Sequence, residues 1–134
     1  MNLKFKSEGY VFNGETHYWH LRRIYDGKVP IGSVAFVRDQ RKLYLMFIEI
    51  KREYRGRGYA EAVLNKLLSY KNVDCVVGET LRQSRGFWHK MIKKYNGTRR
   101  NITYYDNTTS SFVIPNNSIT NDEIYKMFDK WDKA

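Results

Sequence analysis

The sequence has one cysteine, Cys75, and two prolines in 134 residues. A single cysteine excludes an intramolecular disulfide and fits a reducing compartment. No apolar run approaches the roughly 18 residues of a membrane-spanning helix, and the N-terminus lacks a signal-peptide core. Repeats, low-complexity tracts and Pro/Gly/Ser-rich linkers are also missing. His17, His20 and Cys75 show no metal-ligand spacing, so no metal site is expected. These absences predict one soluble, cytoplasmic domain over residues 1–134. Acidic residues are few as well, 14 against 24 Lys and Arg, for a formal charge of +10. That balance favours an anionic partner: nucleic acid, a phosphorylated cofactor or an acidic protein surface.

Aromatic residues make up 16% of the chain, which argues for a packed core rather than disorder. "YWHLRRIY" (Tyr18 to Tyr25), "IGSVAFVRD" (Ile31 to Asp39) and "KLYLMFIEI" (Lys42 to Ile50) read as strands. Turn signals at Asp26-Gly27 and Asp39-Gln40-Arg41 separate them, giving an antiparallel meander. From Gly58 the period changes. Tyr59, Ala60, Val63, Leu64, Leu67, Leu68 and Tyr70 fall on one helical face, and Asn72 can end that helix. "VDCVV" (Val73 to Val77) reads as a short buried strand. Phe87, Trp88, Met91, Ile92 and Tyr95 mark a second helix stopped by Asn96-Gly97. "NITYYD" and "SSFVIP" read as a closing hairpin. Thr120 and Glu123 then have capping-box spacing before Ile124, Met127, Phe128 and Trp131. That last amphipathic helix packs on the core or on a second subunit, which leaves a homodimer open. The order predicts an α+β fold, a mostly antiparallel sheet flanked by helices.

The residues richest in chemical meaning are Arg55-Gly56-Arg57-Gly58-Tyr59-Ala60, where strand gives way to helix. Glycine lets the backbone take positive φ and approach a ligand closely. Successive N–H groups in such a turn converge on an anion, and a helix N-terminus adds its own donors and dipole. Arg55 and Arg57 bring charge and bidentate donors suited to phosphate. A solvated basic turn remains the alternative on these residues alone. A P-loop, GxxxxGK[ST], is absent, and a GxGxxG fingerprint also fails.

The stretch from Ile48 to Ala60 resembles the central motif of the GNAT superfamily of acyl-CoA-dependent N-acetyltransferases. In that family a strand "L-x-V-x-P-x-Y" runs into R/Q-x-x-G-x-G/A at the start of a helix. Arg55, Gly58 and Ala60 match the loop, Ile48 and Ile50 match the apolar strand positions, and Arg52 replaces the proline. "GFWHKMIKKYNG" is similar to the family's second helix, and "DCVVGET" to its fifth strand. The likeness spans about Ile31 to Tyr95 and implies that acetyl-CoA is the co-substrate. N–H groups from Gly56 to Ala60 would hold its pyrophosphate, and the backbone N–H near Ile50 would polarise the thioester.

Transfer to an amine also needs a base. Glu49, the one carboxylate in an apolar strand, is the leading candidate, or else an ordinary solvent-facing residue. Glu79 follows, with an exposed turn acid as its alternative, and Tyr44, more simply a packing residue, is third. The family's tyrosine, which protonates the leaving thiolate, is replaced by Trp88, which has no usable acid proton near neutral pH. The family's asparagine seven residues earlier is here Leu81. His89 and Cys75 read as a surface histidine and a core thiol. Lys93-Lys94 and Arg99-Arg100 form a basic run able to meet the CoA 3′-phosphate or an acidic partner. Only 17 residues precede "YWHLRRIY", fewer than the strand and two helices common in the family. The resemblance therefore implies an open acceptor face suited to a protein or other macromolecular amine. A non-catalytic basic module binding CoA or nucleic acid is the competing expectation.

Overall fold

The computed structural model describes residues 1–12, 18–80, 82–101, 110–116 and 122–126. Strands β1 (Leu3–Phe12), β2 (Tyr18–Asp26), β3 (Val29–Asp39) and β4 (Lys42–Ile50) form the expected antiparallel meander, extended by one strand at the N-terminal side. Helix α1 (Tyr59–Leu68) leads to β5 (Cys75–Thr80), and helix α2 (Arg85–Lys94) leads to β6 (Thr98–Asn101) and β7 (Ser110–Pro115). The seven strands make one sheet in the order β1-β2-β3-β4-β5-β7-β6, with β4 and β5 as its parallel pair. The mixed α+β architecture and largely antiparallel sheet agree with the sequence expectation. No helix among the described residues is long and apolar enough to cross a membrane.

Side-chain alternation sorts the apolar residues onto two faces. Val76, Phe112 and Ile114 join the larger core beneath α1 (Val63, Leu64, Leu67) and α2 (Trp88, Met91, Ile92). Their neighbours Cys75, Val77 and Val113 form a smaller cluster on the other face, closed by Ile124 of the helical turn at 122–126. The turn fits the amphipathic helix expected there, whose remaining apolar positions lie outside the described residues. Both major helices therefore share one side of the sheet. Lys94 Nζ and Tyr95 Oη tie the end of α2 to Glu61 in the first turn of α1, at 2.7 and 3.3 Å. Lys94 and Tyr95 hold the Glu61 carboxyl below its ordinary pKa, Lys94 foremost.

Three register shifts interrupt the sheet; the one between Ile24 and Tyr25 of β2 leaves Ile31 as an extra residue in β3, and the other two lie in β1 and β4. In β1 the register slips at Glu8, so Ser7 pairs with Arg22 and Gly9 with Leu21. In β4, Leu45 pairs with Phe36 but Phe47 pairs with Ala35, leaving Met46 as an extra residue. This bulge turns Ile48 and Ile50 to the helix side with Leu43 and Leu45, and Phe47 and Glu49 to the opposite side with Tyr44. The helix stops are legible: Asn72 and Asn96 take φ of +69° and +55°, although α1 itself ends at Leu68. The closing hairpin begins at Thr98, three residues before the expected Asn101.

Candidate active site

The parallel ladder between β4 and β5 covers only Lys42 to Tyr44 against Cys75 to Val77. Arg41 anchors it from outside, its Nε and Nη2 each 2.8 Å from an Asp74 carboxylate oxygen. Beyond Tyr44 the two strands part. The gap opens into a cleft of about 650 Å³ bounded by β4, the loop after it, the start of α1 and one face of α2.

Along β4 the hydrogen-bonding direction decides what the cleft meets. Lys51 N–H donates to Ile31 O at 2.8 Å, flanking the facing residues Ile50 and Gly32. Those two are therefore a non-hydrogen-bonded antiparallel pair, and the N–H and C=O of Ile50 point away from β3 into the gap. Arg55 Nε donates to that Ile50 carbonyl at 2.8 Å, folding the loop back onto the strand end. The Arg55 guanidinium thus braces the loop as well as adding charge.

The loop's two glycines take the positive φ that the sequence predicts for them. Gly56 and Gly58 adopt φ of +78° and +83°, a region unfavourable to residues with a Cβ. Gly58 is the residue before α1 and offers no side chain to cap it, so the first N–H groups of the helix stay available. Arg57 lies over the Tyr54 ring at 5.5 Å, and both arginines are exposed. From the other side Tyr59 Oη donates to Asp26 Oδ2 at 2.6 Å, while Asn2 N–H donates to Oδ1 at 2.8 Å. These bonds hold Asp26 below its ordinary pKa and raise that of Tyr59. They pin the first turn of α1 to the β2 end.

The far end of the cleft is aromatic. Trp88 is buried, stacked on Phe112 at 4.6 Å and edge-on to Phe87 at 4.8 Å. The Phe112 ring reaches there by crossing Gly78, where an added Cβ would lie 2.8 Å from its Cζ. Ser84 and Gln83 line the same end.

The cleft brings together Ile48, Ile50, Arg55, Gly56, Gly58, Tyr59, Ala60 and Trp88, together with Glu49 and Glu79. Glu79 is exposed at the end of β5. Glu49 also borders a second cavity of about 300 Å³ on the helix-free side, with Arg23, Ser33 and Lys51. It is thus the carboxylate that borders both faces of the gap. Tyr44 is not brought to the cleft. It packs on the Cys75–Val113–Ile124 cluster where the strands are still paired, and burial pushes its phenol pKa up. Cys75 is fully buried with its thiol pushed up to about 11, as befits an inert core residue. His89 meets Arg99 on the surface, its Nε2 2.7 Å from Nη1, and desolvation and Arg99 lower its pKa. Among the described residues no group of His, Cys, Asp and Glu is placed to hold a metal ion. Sequence reasoning missed Phe112 and Met46, since neither a ring crossing a neighbouring strand nor a bulge leaves a local pattern.

Comparison with known proteins gives these shapes a context. A family model of the acetyltransferase (GNAT) family matches residues 3–91. Among solved structures, a Bacteroides thetaiotaomicron protein described as a GNAT-family acetyltransferase superposes with a TM-score of 0.59 at 17% identity. It involves 86% of this chain and 70% of that one. A ribosomal-protein alanine N-acetyltransferase of Escherichia coli gives 0.59 at 11% identity, over 77% and 72% of the two chains. A Bacillus subtilis acetyltransferase in complex with CoA gives 0.53 at 11% identity, over 72% and 76%. No curated protein matches the sequence. The glycine loop, the parted strands and the family match over residues 3–91 agree: the chain belongs to the GNAT acetyltransferase family, whose co-substrate is acetyl-CoA.

Proposed function

We propose that this protein transfers an acetyl group from acetyl-CoA directly to an amine on a protein, with the two substrates meeting in the gap between β4 and β5. The observation that carries this is the early end of the β4–β5 ladder at Tyr44, which leaves the Ile50 N–H facing the cleft. Acetyl-CoA supplies an activated acyl group with a tolerable thiolate leaving group. N–H groups of residues 56–60 and the α1 terminus would hold its pyrophosphate, and Ile48, Ile50 and Met91 would flank its pantetheine arm. The Ile50 N–H is positioned to donate to the developing oxyanion. Glu49, reached from the helix-free face, would take the proton of the incoming amine. Trp88 shapes the thiol end without offering an acid. A protein acceptor is favoured by the second cavity's opening on the helix-free face.

Acetyl-CoA at millimolar concentration should raise the melting temperature. Glu49→Gln should keep acetyl-CoA affinity while lowering kcat/KM by about 10²–10⁴-fold. No stabilisation by acetyl-CoA, or full activity in the Glu49 variant, would refute the respective assignment.

A further inference from the structure

The cavity on the helix-free face has a charge pattern of its own. Register places Lys6, Arg23, Ser33 and Glu49 in one row across β1 to β4. Lys4 stands two residues from Lys6 on the same face, next to Tyr25, whose ring carries Lys6 Nζ at 4.9 Å. Lys51 closes the opposite side of the cavity. Among the described residues, Glu79 lies across the gap at the end of β5, and Glu49 and Glu8 stand beside these four cations, Glu8 bound to Arg23 Nη2 at 2.5 Å. That bond engages one guanidinium nitrogen of Arg23, whose side chain remains 48% exposed. The proposed base thus sits in a basic surround.

We propose that the acceptor amine is carried by an acidic peptide, with Asp or Glu side chains beside the amine docking on Arg23, Lys51 and Lys6. The inference rests on the direct-transfer reaction proposed above and names its substrate class. Two physical reasons support it. Carboxylates beside the amine meet complementary charge at Arg23 and Lys51, whereas Lys or Arg there meets like charge. The same cations disfavour an ammonium and favour the neutral amine, the form that attacks a thioester. The cavity, about 300 Å³, matches a few peptide side chains seated around Glu49 rather than a broad protein surface.

The test uses the whole protein saturated with CoA or acetyl-CoA. Two peptides share one amine and differ only in flanking residues, Asp/Glu in one and Lys/Arg in the other; spermidine serves as a small polycation. The acidic peptide should be acetylated with kcat/KM roughly tenfold above the basic one. Lys51→Glu and Arg23→Gln should erase or invert the ranking while acetyl-CoA affinity stays unchanged. Equal rates, or a preference for the basic peptide or spermidine, overturn the proposal. Peptide binding to the CoA complex, measured by calorimetry, decides the matter even if no amine is acetylated. Tighter binding of the acidic peptide, weakened by Lys51→Glu, upholds this substrate class while the transfer reaction fails; equal binding overturns the class.

Discussion

The two ends of the cleft are built on different principles. At the loop end the groups proposed to bind are backbone N–H donors, exposed by Gly56 and Gly58 at positive φ and by the uncapped start of α1. At the α2 end they are side chains: Trp88 stacked on Phe112, flanked by Phe87. A backbone site depends on where glycine is allowed, and side chains such as Tyr59 can vary around it. A side-chain site changes its chemistry with one substitution. The family's loop pattern accordingly is matched at Arg55, Gly58 and Ala60, whereas the resemblance puts an indole, Trp88, where the family carries its leaving-group acid.

The comparison makes loop-end changes act on cofactor affinity and α2-end changes act on stability or turnover. The largest effect is expected for Trp88→Ala, which removes a buried indole and should cost about 3–5 kcal/mol in denaturant unfolding. Trp88→Tyr should restore a phenol where the thiolate leaves and raise kcat, by up to about 10²-fold, with acetyl-CoA affinity unchanged. An unaltered kcat would show that the missing acid does not limit the reaction. Gly58→Val forces a β-branched residue to φ of +83° and should cost about 1–2 kcal/mol, felt as roughly tenfold weaker acetyl-CoA binding. A variant with lower kcat and intact affinity would erase the contrast between the ends.

The smallest effect concerns the pin between α1 and β2. Asp26 is held below its ordinary pKa of 3.8 by the Tyr59 hydroxyl and the Asn2 N–H. A depressed carboxylate contributes stability that is complete above that ordinary value and is lost as pH falls through the folded-state value. Tyr59→Phe should therefore be less stable than the parent at neutral pH, and the gap should close below about pH 3.8. Denaturant midpoints measured across that range check it.

Much of this was readable in the residues because each signal was local. Val63, Leu64 and Leu67 keep helical spacing, Asn96-Gly97 ends α2, and the glycines announce the loop. What escaped depends on register. The strand β1 is hard to see because the slip at Glu8 breaks its alternation, and β6 starts in "TRRN", which carries no apolar pattern. Strict alternation would group Glu49 with Leu43 and Leu45, but the extra residue Met46 sends it to the opposite face. Tyr44 shares that face with Glu49, yet the strands have not parted at its level. Whether a side chain in a strand meets a gap depends on pairing with a partner distant in sequence.

The joint at Glu61 has a further consequence. Lys94 and Tyr95 both bond to it, which links the first turn of α1 to the end of α2. Part of the ordering entropy of the cleft walls is then met on folding, which leaves less to be lost when a long flexible cofactor is immobilised.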